Sequence, residues 1–222
     1  MFVITGATGH TGSVVAKTLL TKGERVRVVG RNRDRLKEFV AEGAEPFTAD
    51  LSEEASVAKA FAGAKAAFVM IPPNPSSADV LEFQKRVTDA IASGLRSAGV
   101  THAVVLSSIG ADKPDKTGPV AGLHSLEERL NGIDALNVLH LRAGYFMENT
   151  LAQAGIIRTA GMVVGPLRAD LKLPMIATHD IGAAAADALL SLNFRQKQTH
   201  ELLGQRDVSY DEVAKITPHT VI

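Results

Sequence analysis

Residues 5–12 read TGATGHTG, and their types suit a phosphate cradle better than bond-making side chains. Gly6, Gly9 and Gly12 let the backbone turn sharply and approach a bound group closely. Thr8, His10 and Thr11 lie between them at the start of a helical pattern. There hydroxyls, orphan N–H donors and a partial positive charge favour an anion. The spacing is G-x-x-G-x-x-G, whereas the usual dinucleotide fingerprint is G-x-G-x-x-G, so the glycines alone also fit a plain strand-to-helix turn. The setting directs the reading to a pyrophosphate. Phe2, Val3 and Ile4 form a short apolar run before the turn, and Val14, Val15, Thr18, Leu19 and Leu20 recur at helical spacing after it, as far as Gly23.

A second set of candidates follows residues 25–30 (RVRVVG), which read as the next strand. In dinucleotide folds this strand ends beside the adenosine ribose, where an acid commonly binds the 2′-OH of NAD. Here that place holds Gly30-Arg31-Asn32-Arg33. A guanidinium matches a 2′-phosphate that a carboxylate would repel, so Arg31 and Arg33 favour NADP(H) over NAD(H). The same arginines, with Arg35, also suit a solvated helix start. Asp50 and Leu51 end a third strand (residues 44–48). Asp50 either faces the adenine edge or holds its own loop as an Asx turn.

A fully apolar fourth strand, residues 66–71, runs into Pro72-Pro73-Asn74-Pro75, which cannot start a helix. Strand order reverses between strands 1 and 4, so the backbone of Ile71, Pro72 and Pro73 is expected over the cofactor. The fifth strand, residues 102–107, ends at Ser107-Ser108. These hydroxyls either bond a nicotinamide or substrate carbonyl or cap their own loop. After a sixth strand, Tyr145, Phe146 and Met147 offer an apolar, planar surface with Asn149 to fix the loop, although Phe146 equally suits packing between lobes.

Composition bounds these readings. The 222 residues are 45% hydrophobic and 22% charged, enough for one good core and a smaller lobe. Lys plus Arg and Asp plus Glu both number 24, so bulk charge gives no reason to bind nucleic acid or an anionic membrane surface. There is no cysteine, hence no disulfide, thiolate nucleophile or thiolate metal site, and no metal is called for. The chain opens on a core strand instead of a signal sequence, and no apolar run nears the roughly 20 residues that span a bilayer, so a cytoplasmic location is expected.

Between the candidates lie helices that must carry them. Residues 34–40 and a segment after Ser52, read as a cap ahead of Glu53 and Glu54, form the second and third helices. Val80, Phe83, Val87, Ile91 and Leu95 make one long amphipathic helix ending near Gly99, a stripe that suits either the sheet or a two-fold partner, so monomer and homodimer both remain open. Residues 112–119 form a polar loop, either a lid or plain surface. Beyond Leu151, Gly155, Gly161 and Gly165-Pro166 break up short apolar pieces. Asp180 is expected to cap an Ala-rich helix over 181–192, and Ser209-x-x-Glu212 reads as a capping box. The fold class is α/β: a doubly wound parallel sheet over 1–151, interleaved with a small lobe over 152–222 that ends in a tail, residues 217–222, of little core-forming character.

TGATGHTG, VVGRNRDR (28–35), ADLS (49–52), VMIPP (69–73), LSSIGA (106–111) and HLRAGYFMENTL (140–151) together resemble the NmrA-like NAD(P)-binding family of atypical, extended short-chain dehydrogenases. The resemblance spans nearly the whole chain, and LR-x-GYFMEN is its most characteristic part. It implies a Rossmann domain, NADP in many members, and either quinone- or azo-type reductases or non-catalytic redox-sensing regulators. The family pattern continues beyond this C-terminus, which makes the chain either naturally short or incomplete in its substrate lobe. Catalytic members of the wider superfamily use Tyr-x-x-x-Lys after strand five. This chain has His124 and Glu128 in those places. His124 is either a proton donor supported by Glu128 or a packing residue near a helix start. Without a tyrosine acid, hydride transfer to a quinone-like acceptor remains reasonable, because water supplies the proton and the protein's task is positioning.

Overall fold

The computed structural model describes residues 1–160, 162, 164 and 167–216. The first part alternates strand and helix: β1 (Phe2–Thr5), α1 (His10–Thr21), β2 (Val26–Gly30), a 3-10 turn leading into α2 (Lys37–Ala41), β3 (Glu45–Thr48), α3 (Glu54–Phe61), β4 (Ala66–Val69), α4 (Val80–Ser97), β5 (His102–Ser108), α5 (Val120–Asn131) and β6 (Asn137–Ala143). Then come β7 (Tyr145–Phe146), a 3-10 run, α6 (Ala154–Ala160), β8 (Leu173–Ile176), α7 (Thr178–Ser191), β9 (Lys197–Leu202), β10 (Asp207–Val208) and α8 (Tyr210–Ile216).

One sheet has the order β3-β2-β1-β4-β5-β6-β9, and every neighbouring pair is parallel. β1 and β4 are buried on both faces, which is why they carry no polar alternation. Successive residues point to opposite sides: Val3, Val29 and Val69 join α3, α4 and α5 in one core through Phe61, Ile91 and Leu126, while Ile4, Val28 and Phe68 join α1, α2 and α7 through Leu19, Phe39 and Leu189 in the other. This is the doubly wound Rossmann architecture. A second sheet, β10-β8-β7, sits at the end of β6.

Several boundaries differ from expectation for local reasons. β4 stops at Val69, because the approaching prolines end the ladder and Met70 N–H donates to Thr5 Oγ1 instead. Ser52 does not cap α3. Its N–H and hydroxyl both donate to Asp50, and Glu53 is the residue before the helix. Asp180 does not cap α7, which begins two residues earlier: the Thr178 N–H and hydroxyl donate to the Glu148 carboxylate, so a side chain from another segment does the capping. Only half of the box at Ser209 forms, with Glu212 N–H donating to Ser209 Oγ while the Glu212 carboxylate pairs with Arg206 and Lys172. Gly155 does not break the chain but lies in the first turn of α6; Gly161, Gly165-Pro166 and the tail 217–222 lie outside the described residues.

His140 in β6 is 1% exposed, with Nε2 donating to Asn131 Oδ1 at 2.9 Å and Nδ1 without a partner. Burial, reinforced by Arg142 and Lys197 and opposed by Glu127, pushes this imidazole down from its ordinary 6.5 to about 4. The neutral ring therefore belongs to the fold. The His140 contribution to stability is full above pH 6.5 and is lost as pH falls toward 4, because the unfolded chain takes up a proton that the folded one refuses. About two and a half pKa units correspond to roughly 3 kcal/mol. Urea unfolding of wild type at about pH 7 and about pH 4.5 will show this loss, and His140→Gln will remove that share of the slope.

Candidate functional site

The switch point between β1 and β4 is where the candidates converge. Thr5, fully buried at the end of β1, donates its hydroxyl to Phe68 O at 3.1 Å and accepts from Met70 N–H, stitching the two strand ends together. The chain then turns through Gly6 at φ +63°, with Gly9 N–H donating to Gly6 O. A Cβ on Gly12 would stand 2.3 Å from Gly6 O and 2.7 Å from its carbonyl carbon, so only glycine lets α1 start this close to the turn. No side chain caps α1, whose first N–H groups belong to His10, Thr11 and Gly12. A glycine cradle beneath an uncapped twelve-residue helix is what a pyrophosphate requires.

On the side where an adenosine ribose is expected, Arg31 and Arg33 are exposed at the end of β2. Arg35 is the arginine that touches the turn, giving Nη2 to Thr8 O at 3.2 Å. Thr8, Arg35, Asp34 and Glu38 line a hollow of about 290 Å³. Asp50 is exposed and held as an Asx turn by Ser52. That bonding and the positive field of Arg31 and Arg86 lower its carboxyl below the usual range. The Leu51 side chain belongs to the hydrophobic core, which leaves only its backbone to face a ligand.

Beyond the turn, a cleft of about 880 Å³ opens over the carboxyl ends of β4, β5 and β6. Its walls include the expected Ile71, Pro72, Pro73, Ser107, Ser108, Tyr145 and Phe146, and Asn149. Residues that no motif marked complete it: Val80, Phe83 and Gln84 from α4, Val120 and Leu123 from α5, and Leu173 and Pro174 from β8. The lining is mainly apolar with a few polar tips, the composition of a small-molecule site.

Those polar tips have defined partners. Ser107 is buried and donates to Glu127 Oε1 at 2.5 Å. Glu127, 3% exposed, also accepts from Arg142 Nε at 3.0 Å and Nη2 at 2.6 Å. Ser108 donates to Ile109 O, closing its own loop. His124 Nδ1 lies 2.8 Å from Ala111 O, so the ring ties α5 to the loop after β5, and Glu128 one turn on is exposed. The His124–Glu128 pair weighed from sequence is not made. Tyr145 and Tyr210 place their hydroxyls 2.6 Å apart with rings in a T-shaped contact. Among the described residues no cluster suits a metal ion, and no helix is long and apolar enough to cross a membrane.

A model of the NmrA-like family matches residues 1–221. Among curated proteins, an NAD(P)H azoreductase of Xenophilus azovorans is 29% identical over 216 residues, covering 96% of this chain and 71% of its own. Among solved structures, an NADPH-dependent quinone oxidoreductase of Escherichia coli, complexed with NADPH, superposes with a TM-score of 0.82 at 25% identity, covering 97% of this chain and 73% of that one. A triphenylmethane reductase of Citrobacter sp. complexed with NADP(H) shares the fold at a TM-score of 0.83 and 20% identity, covering 99% and 75%.

Proposed function

From the chain's membership of the NmrA-like family we propose that it is an NADPH-dependent oxidoreductase that passes hydride to a quinone-like or other conjugated acceptor. The observation that carries this reading is the continuity of two sites: the glycine turn of β1 packs against Met70, and Met70 is also a wall of the apolar cleft. A dinucleotide on α1 would thus extend its nicotinamide into a space shaped for a flat apolar partner. The bound cofactor supplies the hydride. The protein supplies the pyrophosphate cradle at residues 6–12, the strap at residues 71–73 and a mainly apolar cleft for the acceptor. A cytoplasmic setting fits such a cofactor.

Isothermal calorimetry with NADPH and NADH, followed by NADPH consumption against a panel of quinones and azo dyes, tests the reading. Steady consumption supports it. Tight NADPH binding without consumption points to a nucleotide-sensing regulator, the reading favoured by the missing Tyr-x-x-x-Lys pair, and binding of neither nucleotide removes both. Arg31→Ala is expected to weaken NADPH about tenfold, the worth of one exposed charge-assisted contact, and to leave NADH nearly unchanged. Equal losses for the two nucleotides would remove Arg31 from the 2′-phosphate.

A further inference from the structure

The chain has two tyrosines and no tryptophan, and the two tyrosines touch. Tyr145 belongs to β7 and Tyr210 opens α8, 65 residues later. They meet because β8 pairs with both β7 and β10, which draws the two segments together across the small sheet. Tyr145 is half-buried and lines the cleft. Tyr210 is 4% exposed, is not part of the cleft wall, and has Tyr145 as its one hydroxyl partner among the described residues.

That asymmetry orders the protons. A phenol in an apolar setting must place its proton on an acceptor, and Tyr210 has only Tyr145 Oη within reach. Burial and this hydrogen bond push Tyr210 up to about 12, so it remains a neutral donor at any physiological pH. With Tyr210 as the donor, Tyr145 Oη accepts, and the Tyr145 O–H then has no partner among the described residues. The cleft beside it has otherwise few polar groups, and the two serine hydroxyls in its wall are already committed to Glu127 and Ile109.

We propose that Tyr145 hydrogen-bonds the oxygen of the reducible carbonyl in the cleft, as a catalytic residue, and that Tyr210 is the positioning residue that directs its proton there. The inference rests on the oxidoreductase reading. Hydride from the dihydronicotinamide forms a new bond to the conjugated acceptor, whose π electrons move onto the carbonyl oxygen; for a quinone the result is a hydroquinone anion. The Tyr145 O–H stabilises that oxyanion, with Tyr210 polarising it from behind, and water provides the final proton after release. This assigns the site to acceptors that carry an oxygen, and it supplies from another strand the donor that α5 lacks.

The test uses wild type, Tyr145→Phe and Tyr210→Phe, each checked for fold by circular dichroism and thermal unfolding. The first readout needs no cofactor: binding of 4-nitrophenolate, a planar oxyanion whose visible band shifts on accepting a hydrogen bond. Wild type is expected to bind it and shift the band. Tyr145→Phe should lose about 10- to 100-fold in affinity and abolish the shift, and Tyr210→Phe should keep most of the affinity with a smaller shift. The second readout is quinone reduction, where kcat should fall by the same factor in Tyr145→Phe with NADPH affinity within about twofold of wild type. A wild type that does not bind nitrophenolate, or a Tyr145→Phe variant matching wild type in affinity and in kcat, overturns the assignment. A wild type that binds nitrophenolate through Tyr145 yet oxidises no NADPH with any quinone keeps the hydrogen-bonding site and overturns the oxidoreductase reading instead.

Discussion

Gly12→Ala destabilises the fold by at least about 2 kcal/mol, although alanine is intrinsically the better helix residue by about 1 kcal/mol. The added methyl would lie 2.3 Å from Gly6 O, 2.7 Å from Gly6 C and 3.1 Å from Ala7 Cα. All three are backbone atoms of a turn held by the Gly9-to-Gly6 hydrogen bond, so no side chain can swing aside to make room. Either α1 lifts away from the turn or the turn opens. Both displace the first N–H groups of the helix from the proposed pyrophosphate position, and nucleotide affinity falls with stability. Gly155→Ala in α6 is the control. It too is helical, but a Cβ there meets no described atom beyond its own helix backbone within 4 Å, and the change should leave stability unaltered or slightly raised. Urea unfolding of both variants with NADPH calorimetry on the folded protein checks the pair. A Gly12→Ala protein as stable as wild type would mean that the turn tolerates a shift of this size.

Glu127→Ala lowers stability by about 3 kcal/mol or more, the usual result of leaving a buried charge without its partner. The side chains of Glu127 and Arg142 are 5% and 18% exposed, and the carboxylate accepts three hydrogen bonds in all. Its removal strands the Arg142 guanidinium at the end of β6 and frees the Ser107 hydroxyl at the end of β5. For a chain of 222 residues this corresponds to a fall in Tm of about 6–12 °C. Ser107 lines the cleft and Arg142 sits three residues before Tyr145, so acceptor affinity should fall as well. Differential scanning calorimetry supplies the first number. Glu127→Gln, which keeps the shape but not the charge, separates packing from electrostatics: if it unfolds at the wild-type temperature, the ion pair contributes nothing net.

The parallel half of the fold was legible because its signals are local. An apolar strand, a glycine turn and a helix of period 3.6 occupy some twenty consecutive residues, and an apolar strand followed by a loop and a helix recurs with β2 and β4. The candidate site was legible where backbone shapes it, in the glycine turn at residues 6–12 and in the cleft wall at Pro72 and Pro73. Partnerships between distant side chains were not. Nothing in SLEERL sets Glu127 apart from Glu128, since both are charged residues of one helix. Which of them turns inward depends on Ser107 and Arg142 arriving from two strands. Tyr210 likewise carries no local mark, and its scarcity in the composition was the only available signal. β9 escaped for another reason. Its KQTHEL has no buried residue and pairs with one neighbour only, β6, so an apolar pattern was never needed.

β9 and α7 also set the order of events when the protein is made. A nascent chain of about 150 residues contains β1 to β6 but exposes the outer edge of β6 and the face of α1 that α7 later covers. Gly182 of α7 packs against that first helix so closely that a methyl there would meet Val14 Cβ at 2.6 Å and Thr11 O at 2.9 Å. The nucleotide turn is therefore translated first and braced last. Until β9 closes the edge, the half-made sheet is a template for pairing with another chain, and its lifetime depends on how fast the ribosome delivers the residues from the end of β6 through β9.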